Sequence, residues 1–189
     1  MTDGTYDLQH RKTLPDALRV LLNDYPREDW ESHTNFDGLT RFWLERHLMF
    51  RDLQARLQEE TRAYLAGATA PQTFGGQAAR MGGFLIQQLH GHHQIEDHHY
   101  FPVLARAEPR LERGFILLDA DHHALDAELQ ALTEAFNDTL RPLSAGTPAR
   151  DQAGRLEERL AGFGGFLDRH LSDEEELVVP VILHHAPRL

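Results

Sequence analysis

Cysteine is missing from this chain of 189 residues. Disulfide bonds, thiolate metal sites, iron–sulfur clusters and cysteine nucleophiles are therefore excluded. Positive charge is also scarce, because 19 Lys and Arg residues stand against 30 Asp and Glu residues, for a formal net charge of −11. Nucleic acids and anionic membranes attract the opposite charge, so we expect neither as the main partner.

Long apolar runs are absent as well. No run approaches the roughly 18 residues that a membrane-spanning helix needs. The first residues, MTDGTYDLQHRK, contain no apolar stretch behind a basic cluster, so we expect no signal peptide. Together with the lack of cysteine, these features predict a cytoplasmic protein.

Strand signals are missing too, since no run of alternating β-branched residues is long enough to count. Apolar residues instead recur at helical spacing in four stretches, separated by short segments rich in Gly and Pro. The four stretches are 36–66, 74–106, 110–140 and 149–183. This pattern predicts an all-α fold, an up-down-up-down four-helix bundle over residues 36–185. Residues 1–35 are polar and mixed, and we expect an N-terminal arm or short helix outside the bundle.

Histidine is the residue that the chain has in excess, with 13 copies. Each predicted helix places one of them on its core-facing stripe, where apolar residues recur every three or four positions. These four are His47, His92, His122 and His170. Two carboxylates, Glu96 and Glu174, follow four residues after a histidine on the same helix face. The stripe of the second helix continues through His99 and Val103.

The turns predict that the four histidines lie at one level. In an antiparallel hairpin, residues equidistant from the turn lie at the same height. The midpoint between the first two histidines falls in the Gly67–Pro71 turn, and the midpoint between the last two is Gly146. The motif His92-x3-Glu96-Asp97-x4-Pro102 also recurs 78 residues later as His170-x3-Glu174-Glu175-x4-Pro180. The chain therefore looks like a duplicated helical hairpin.

Ionised carboxylates in an apolar core are costly unless a cation compensates them. The predicted stripes contain no Arg or Lys. Two divalent ions bridged by Glu96 and Glu174, with two histidines each, would satisfy every group. Mixed nitrogen and oxygen ligation suits iron, manganese or zinc rather than calcium or magnesium. The sequence therefore predicts a two-metal site inside the bundle.

Other histidines and acids are expected outside this ligand set. Histidines on other helix faces should be solvated or should support the ligands from outside. These are His90, His93, His98, His123, His184 and His185. In the acidic run Asp173–Glu176 only Glu174 falls on the stripe, so we expect the other three acids at the surface.

With these motifs the chain resembles the hemerythrin-like family, the His-His-Glu cation-binding four-helix bundles. The resemblance covers residues 36–183. The matching features are, in order, His47, His92-His93-Gln-Ile-Glu96-Asp97-x4-Pro102, Asp121-His122 and His170-x3-Glu174-Glu175-x4-Pro180.

The resemblance implies two iron ions with Glu96 and Glu174 as bridging carboxylates. His47 and His92 would hold one iron, and His122 and His170 the other. Oxygen-carrying members have His-x3-His in the third helix, where this chain has Asp126 in the second place. The smaller histidine set leaves more open positions for O2, NO or peroxide. Asp126 and His99 are candidate additional ligands, although a solvated or supporting role is favoured for Asp126.

Three functions stay open at this point. The first is a protein that binds or senses O2 or NO, and the second is an enzyme that reduces peroxide or O2 or oxidises Fe(II). The third is a regulatory interaction module that responds to iron. The sequence favours binding over catalysis, because nothing in it marks a docking site for a substrate or a reductant. It predicts no oligomeric state.

Overall fold

The computed structural model describes residues 7–189, which are helical and contain no β-strand. This confirms the predicted all-α class. The α-helices are α1 (Gly38–Leu65), α2 (Pro71–Ile95), the short α3 (Phe101–Ala107), α4 (Glu112–Ser144) and α5 (Arg150–His185). A π-helical turn, Glu96–Tyr100, joins α2 to α3, and short 3-10 helices cover Asp16–Leu18, Arg27–Ser32 and Pro109–Leu111. Four helices were predicted, and the fifth arises because this turn divides the second one.

Glycines end α1 and α4 where turns were predicted. Gly67 and Gly146 have φ angles of +79° and +74°, a left-handed conformation that costs glycine little. The backbone N–H groups of Gly146 and Thr147 donate to the carbonyls of Leu143 and Pro142, the pattern that closes a helix C-terminus. Helix α4 continues through Pro142 and ends at Ser144, four residues after the predicted end at residue 140.

The chain forms two compact units. The first unit comprises Met1–Leu48, His92–Ala124 and Asp168–Leu189, of which we describe residues 7 onward. Its apolar core includes Leu14, Leu18, Leu21 and Trp30, so residues 7–35, here called the N-terminal segment, pack into this unit. The domain boundary after residue 35 stays a prediction.

The second unit comprises Met49–Gly91 and Leu125–Leu167. Its core is built from Leu and Phe side chains with almost no exposed surface, among them Phe50, Phe74 and Phe163. Gly82 lacks a side chain where the Phe136 ring lies 2.7 Å from the position a Cβ would take. Close packing of this kind leaves no room for a larger residue. Within residues 7–189 no helix is long and apolar enough to cross a membrane.

The π-helical turn shifts the core-facing stripe of the second predicted helix. One extra residue per turn moves every later position on by one. Val103, predicted on the stripe, is only half-buried, and Phe101 and Leu104 are buried instead. His99 is exposed for the same reason. The prediction that His99 and Val103 share the stripe with Glu96 is therefore wrong.

Candidate metal centre

All six side chains predicted to bind metal lie buried in the first unit. They are His47, His92, Glu96, His122, His170 and Glu174, and none is more than 8% exposed. Helix α1 supplies the first, α2 and the π-helical turn the next two, α4 the fourth and α5 the last two. The structure thus brings together the residues that the stripe and the turn midpoints placed at one level.

Four of these residues form one group whose ligand atoms all lie within 4.8 Å of one another: His47, His92, Glu96 and Glu174. Nε2 of His47 lies 2.9 Å from Nε2 of His92. Oε1 of Glu96 lies 2.9 Å from Nε2 of His92, and Oε2 of Glu174 lies 3.4 Å from Nε2 of His47. Two nitrogens and two carboxylates therefore converge on one point.

A second group contains three histidines, His93, His122 and His170, whose ligand atoms also lie within 4.8 Å of one another. The ring of His93 stacks on that of His122 with the centroids 4.0 Å apart. The His170 ring lies 4.8 Å from that of His122 and 5.4 Å from that of His93. Sequence reasoning assigned His93 to another face, yet it is buried in this group.

The two glutamates reach from the first group to the second. Oε2 of Glu96 lies 3.8 Å from Nε2 of His122, while its other oxygen faces His92. Oε2 of Glu174 lies 3.5 Å from Nε2 of His170 and 3.4 Å from Nε2 of His47. Each carboxylate is therefore placed to be shared between two ions.

The groups contain buried polar atoms that lack hydrogen bonds. Among the residues described, no hydrogen-bond partner is found for either ring nitrogen of His93 or His170, Nε2 of His122, Oε2 of Glu96 or either oxygen of Glu174. An unsatisfied buried polar atom costs about 1–3 kcal/mol, so one cluster with this many is unusual. Each of these residues contributes one ligand atom to the two groups. Cations bound between the groups would satisfy them.

The electrostatics of the centre also fit a cation. Burial lowers the pKa of His47, His93 and His170, so these imidazoles are neutral and their nitrogens are available as ligands. Burial raises the pKa of Glu174 well above its ordinary value, and the charge of Glu96 raises it further. Burial acts on Glu96 in the same direction, but His92 and other imidazoles offset it and lower the pKa of Glu96. The two carboxyl groups therefore have pKa values shifted in opposite directions, lowered for Glu96 and raised for Glu174.

Carboxylates outside the groups contact two of the histidines. Nδ1 of His122 lies 2.7 Å from Asp97, and Nδ1 of His47 lies 3.1 Å from Glu175. Such contacts fix the ring orientation of metal-binding histidines.

In the acidic run 173–176, Asp173 and Glu175 are buried, at 0% and 4% exposed. The prediction that they lie at the surface is wrong, because arginines from the N-terminal segment pair with both of them.

Trp43 of α1 closes one side of the first group. Its indole N–H donates to Oε1 of Glu96 over 2.5 Å, and its ring lies 4.1 Å from that of His47. On the second group, the Phe101 ring stacks on His122 at 5.4 Å. Each group is therefore bordered by an aromatic ring.

Other candidates lie elsewhere. Asp126 belongs to the second unit, where its carboxylate lies 3.3 Å from the exposed His90. His98, His99 and His123 are exposed. A further group, Glu108, His184 and His185, stands at the end of α5, but Arg110 already pairs with Glu108 there. The structure does not bring Asp126 or His99 into either metal-binding group.

The comparisons with known proteins agree with this geometry. The family model of the hemerythrin HHE cation-binding domain matches residues 38–182. No curated protein and no solved structure matches the chain. The matched range includes all seven residues of the two groups and most of the chain. The chain therefore belongs to the hemerythrin HHE cation-binding family.

Proposed function

We propose that this chain is a non-haem di-iron protein that binds or senses O2 or NO at a carboxylate-bridged centre. One observation carries the proposal: seven buried nitrogen and oxygen donors, five His and two Glu, converge with most of their ligand atoms unsatisfied among the described residues. The proposed architecture is the predicted up-down-up-down bundle. The cytoplasmic location remains a prediction from the sequence.

The two groups suggest the ligand set of each ion. His47 and His92 would hold one iron, and His122 and His170 the other, with Glu96 and Glu174 shared. His93 joins the second set, which makes the two ions inequivalent. Mixed nitrogen and oxygen donors suit iron and also accept manganese or zinc.

Iron at this centre would supply the electrons that stabilise bound O2 or NO. The chain's own part is to hold and shield the ions. Asp97 and Glu175 each face the outer ring nitrogen of a ligand histidine and can keep that proton in place. Trp43 contacts Glu96 and His47, and Phe101 stacks on His122, so an aromatic ring borders each group.

The test is metal analysis of anaerobically isolated protein, followed by its optical spectrum when O2 or NO is added. We expect two metal ions per chain and a reversible spectral change. His93→Ala should lose part of the metal, and His123→Ala, an exposed neighbour of His122, should lose none. Less than one ion per chain in the wild type, or equal loss in both variants, would refute the proposal.

A second function, an iron-responsive interaction module, is favoured by the unsatisfied donors themselves. A centre that is unsatisfied without metal should lower the stability of the first unit until metal binds. Protease digestion with and without Fe(II) under anaerobic conditions tests this. Fe(II)-dependent protection of residues 92–124 would support it, whereas identical cleavage in both states would exclude it. Steady consumption of peroxide by the iron-loaded protein would instead favour the enzyme.

A further inference from the structure

Three arginines of the N-terminal segment pair with the acidic run of α5. Arg11 lies 2.7 Å from Asp173, Arg27 lies 2.6 Å from Glu175, and Arg19 lies 3.6 Å from Glu176. The fourth acid of the run, Glu174, is the one that faces the metal-binding groups. The segment therefore pairs with every acid of the run except the proposed ligand.

Arg27 is linked to the first group through one carboxylate. Its guanidinium donates to Oε2 of Glu175, whose other oxygen lies 3.1 Å from Nδ1 of His47. Glu175 is almost fully buried, whereas the Arg27 side chain is 49% exposed. A half-exposed arginine thus contacts a buried carboxylate that lies against a ligand histidine.

Arg11 has the same relation to the second group. Its Nη1 and Nη2 donate to the two oxygens of Asp121 at 3.2 and 2.5 Å, while Nε donates to Asp173. Oδ2 of Asp121 lies 3.7 Å from Nδ1 of His170. That nitrogen has no hydrogen-bond partner among the residues described, so Asp121 is the carboxylate placed to orient it. The Arg11 side chain is only 2% exposed.

We propose that Arg11 and Arg27 are positioning residues of the metal centre, each acting on one half of it: Arg27 through Glu175 on His47, and Arg11 through Asp121 on His170. This inference rests on the proposed metal centre. An arginine clamp holds a carboxylate in one orientation, and that carboxylate then sets the orientation and basicity of the histidine. The N-terminal segment is thus part of the centre although it contributes no ligand.

The experiment titrates the metal-free chain with Zn²⁺ against a chromophoric chelator. Zinc accepts the same donors and has no redox chemistry. We expect two equivalents in the wild type, and we expect Arg11→Gln and Arg27→Gln each to weaken one equivalent by about tenfold or more. Arg19→Gln is the matched control, because Glu176 contacts neither group, and it should leave both affinities unchanged.

Variants that lack one ligand histidine separate positioning of one half of the centre from a general loss of structure around both halves. In His170→Ala the remaining equivalent should be weakened by Arg27→Gln and not by Arg11→Gln, and in His47→Ala the reverse should hold. Arg27→Lys should restore affinity, since Arg27 makes a single contact with Glu175. Arg11→Lys should not, because an ammonium group cannot span the two acids that the guanidinium fork holds.

The outcomes are distinct. If the wild type takes up no Zn²⁺, the metal centre itself fails and the inference falls with it. If it takes up two ions and both arginine variants match Arg19→Gln, only the inference is overturned. The same holds if each arginine variant weakens the remaining equivalent in both ligand backgrounds. If circular dichroism shows that Arg11→Gln does not fold, the half-exposed Arg27 decides the question alone.

Discussion

The two compact units differ in how their buried polar groups are satisfied. In the second unit the buried polar residues are Gln54, Thr61 and Thr139. Each donates to a backbone carbonyl, of Leu160, Leu57 and Ala135, over 2.7–2.8 Å. In the first unit lie all the buried His, Asp, Glu and Arg side chains of the described chain, several with unsatisfied atoms. The unsatisfied buried side-chain atoms of the second unit are limited to Oε1 of Gln77 among the residues described, whereas in the first unit they cluster on the proposed metal ligands.

The largest effect should come from a cavity in the second unit. Phe163→Ala removes a ring that is 1% exposed and should lower the free energy of unfolding by about 3–5 kcal/mol. The number of cations bound per folded chain should not change. Urea unfolding and metal analysis measure the two quantities. Phe42→Ala, at a ring that is 57% exposed, should stay within about 0.5 kcal/mol of the wild type. If folded Phe163→Ala bound fewer cations than the wild type, the second unit would also contribute to cation binding, contrary to the comparison between the units.

A smaller effect is expected when a carboxylate of the first unit loses its charge. With free Zn²⁺ at a hundred times Kd, binding should raise the free energy of unfolding of the wild type by about 3 kcal/mol for each ion bound. Glu174→Gln should lose most of that gain. Without metal it should be about as stable as the wild type, because burial and Glu96 raise the pKa of Glu174 and keep it protonated.

Paired urea curves with and without Zn²⁺ measure this gain. Glu176→Gln, two positions along the same acidic run, is the control and should keep the full gain. If Glu174→Gln is stabilised by Zn²⁺ as strongly as the wild type, Glu174 is not a ligand.

The smallest effect concerns Glu108, a buried acid of the first unit outside the two metal-binding groups. Hydrogen bonds from Arg110 lower its pKa from 4.5 to about 2, against the opposing effect of burial. A lowered folded-state pKa means that the ionised form stabilises the fold. This contribution is complete above about pH 4.5 and is lost as the pH falls toward 2.

Glu108→Gln should therefore reduce the acid sensitivity of the metal-free chain between about pH 4.5 and 2. Thermal melting across this range checks the expectation. Glu59→Gln, at an exposed position in α1, should keep the acid sensitivity of the wild type. Equal curves for Glu108→Gln and the wild type would mean that the Arg110 contact contributes nothing to stability.

The spacing of apolar residues was enough to predict the helices, and with the turn midpoints it predicted that His47, His92, His122 and His170 converge. Both signals are local properties of the chain. They missed His93. In the repeat, the position that corresponds to His93 is Leu171, so the duplication argued against a metal-binding role. The available signal was the His92-His93 doublet: adjacent helical positions point about 100° apart and can face two ions.

The contacts of the N-terminal arginines could not be predicted from the sequence, for a different reason. The sequence shows no Arg or Lys on the predicted stripes, and that observation holds. The arginines pair instead with the acids next to Glu174 and come from far away in the chain: Arg11 pairs with Asp173 across 162 positions. No periodicity links such residues, since irregular segments have no repeat to count, and only tertiary packing brings them to the acidic run.

The π-helical turn Glu96–Tyr100 gives one continuous stretch of chain two rotational phases. Residues before it and residues after it each follow ordinary helical geometry, but the two parts are offset by one position. A designer who transplanted residues 85–104 onto an uninterrupted helix would have to delete one residue to keep both His92 and Leu104 facing inward. The number of residues in this stretch therefore determines which side chains face inward, whichever amino acids occupy it.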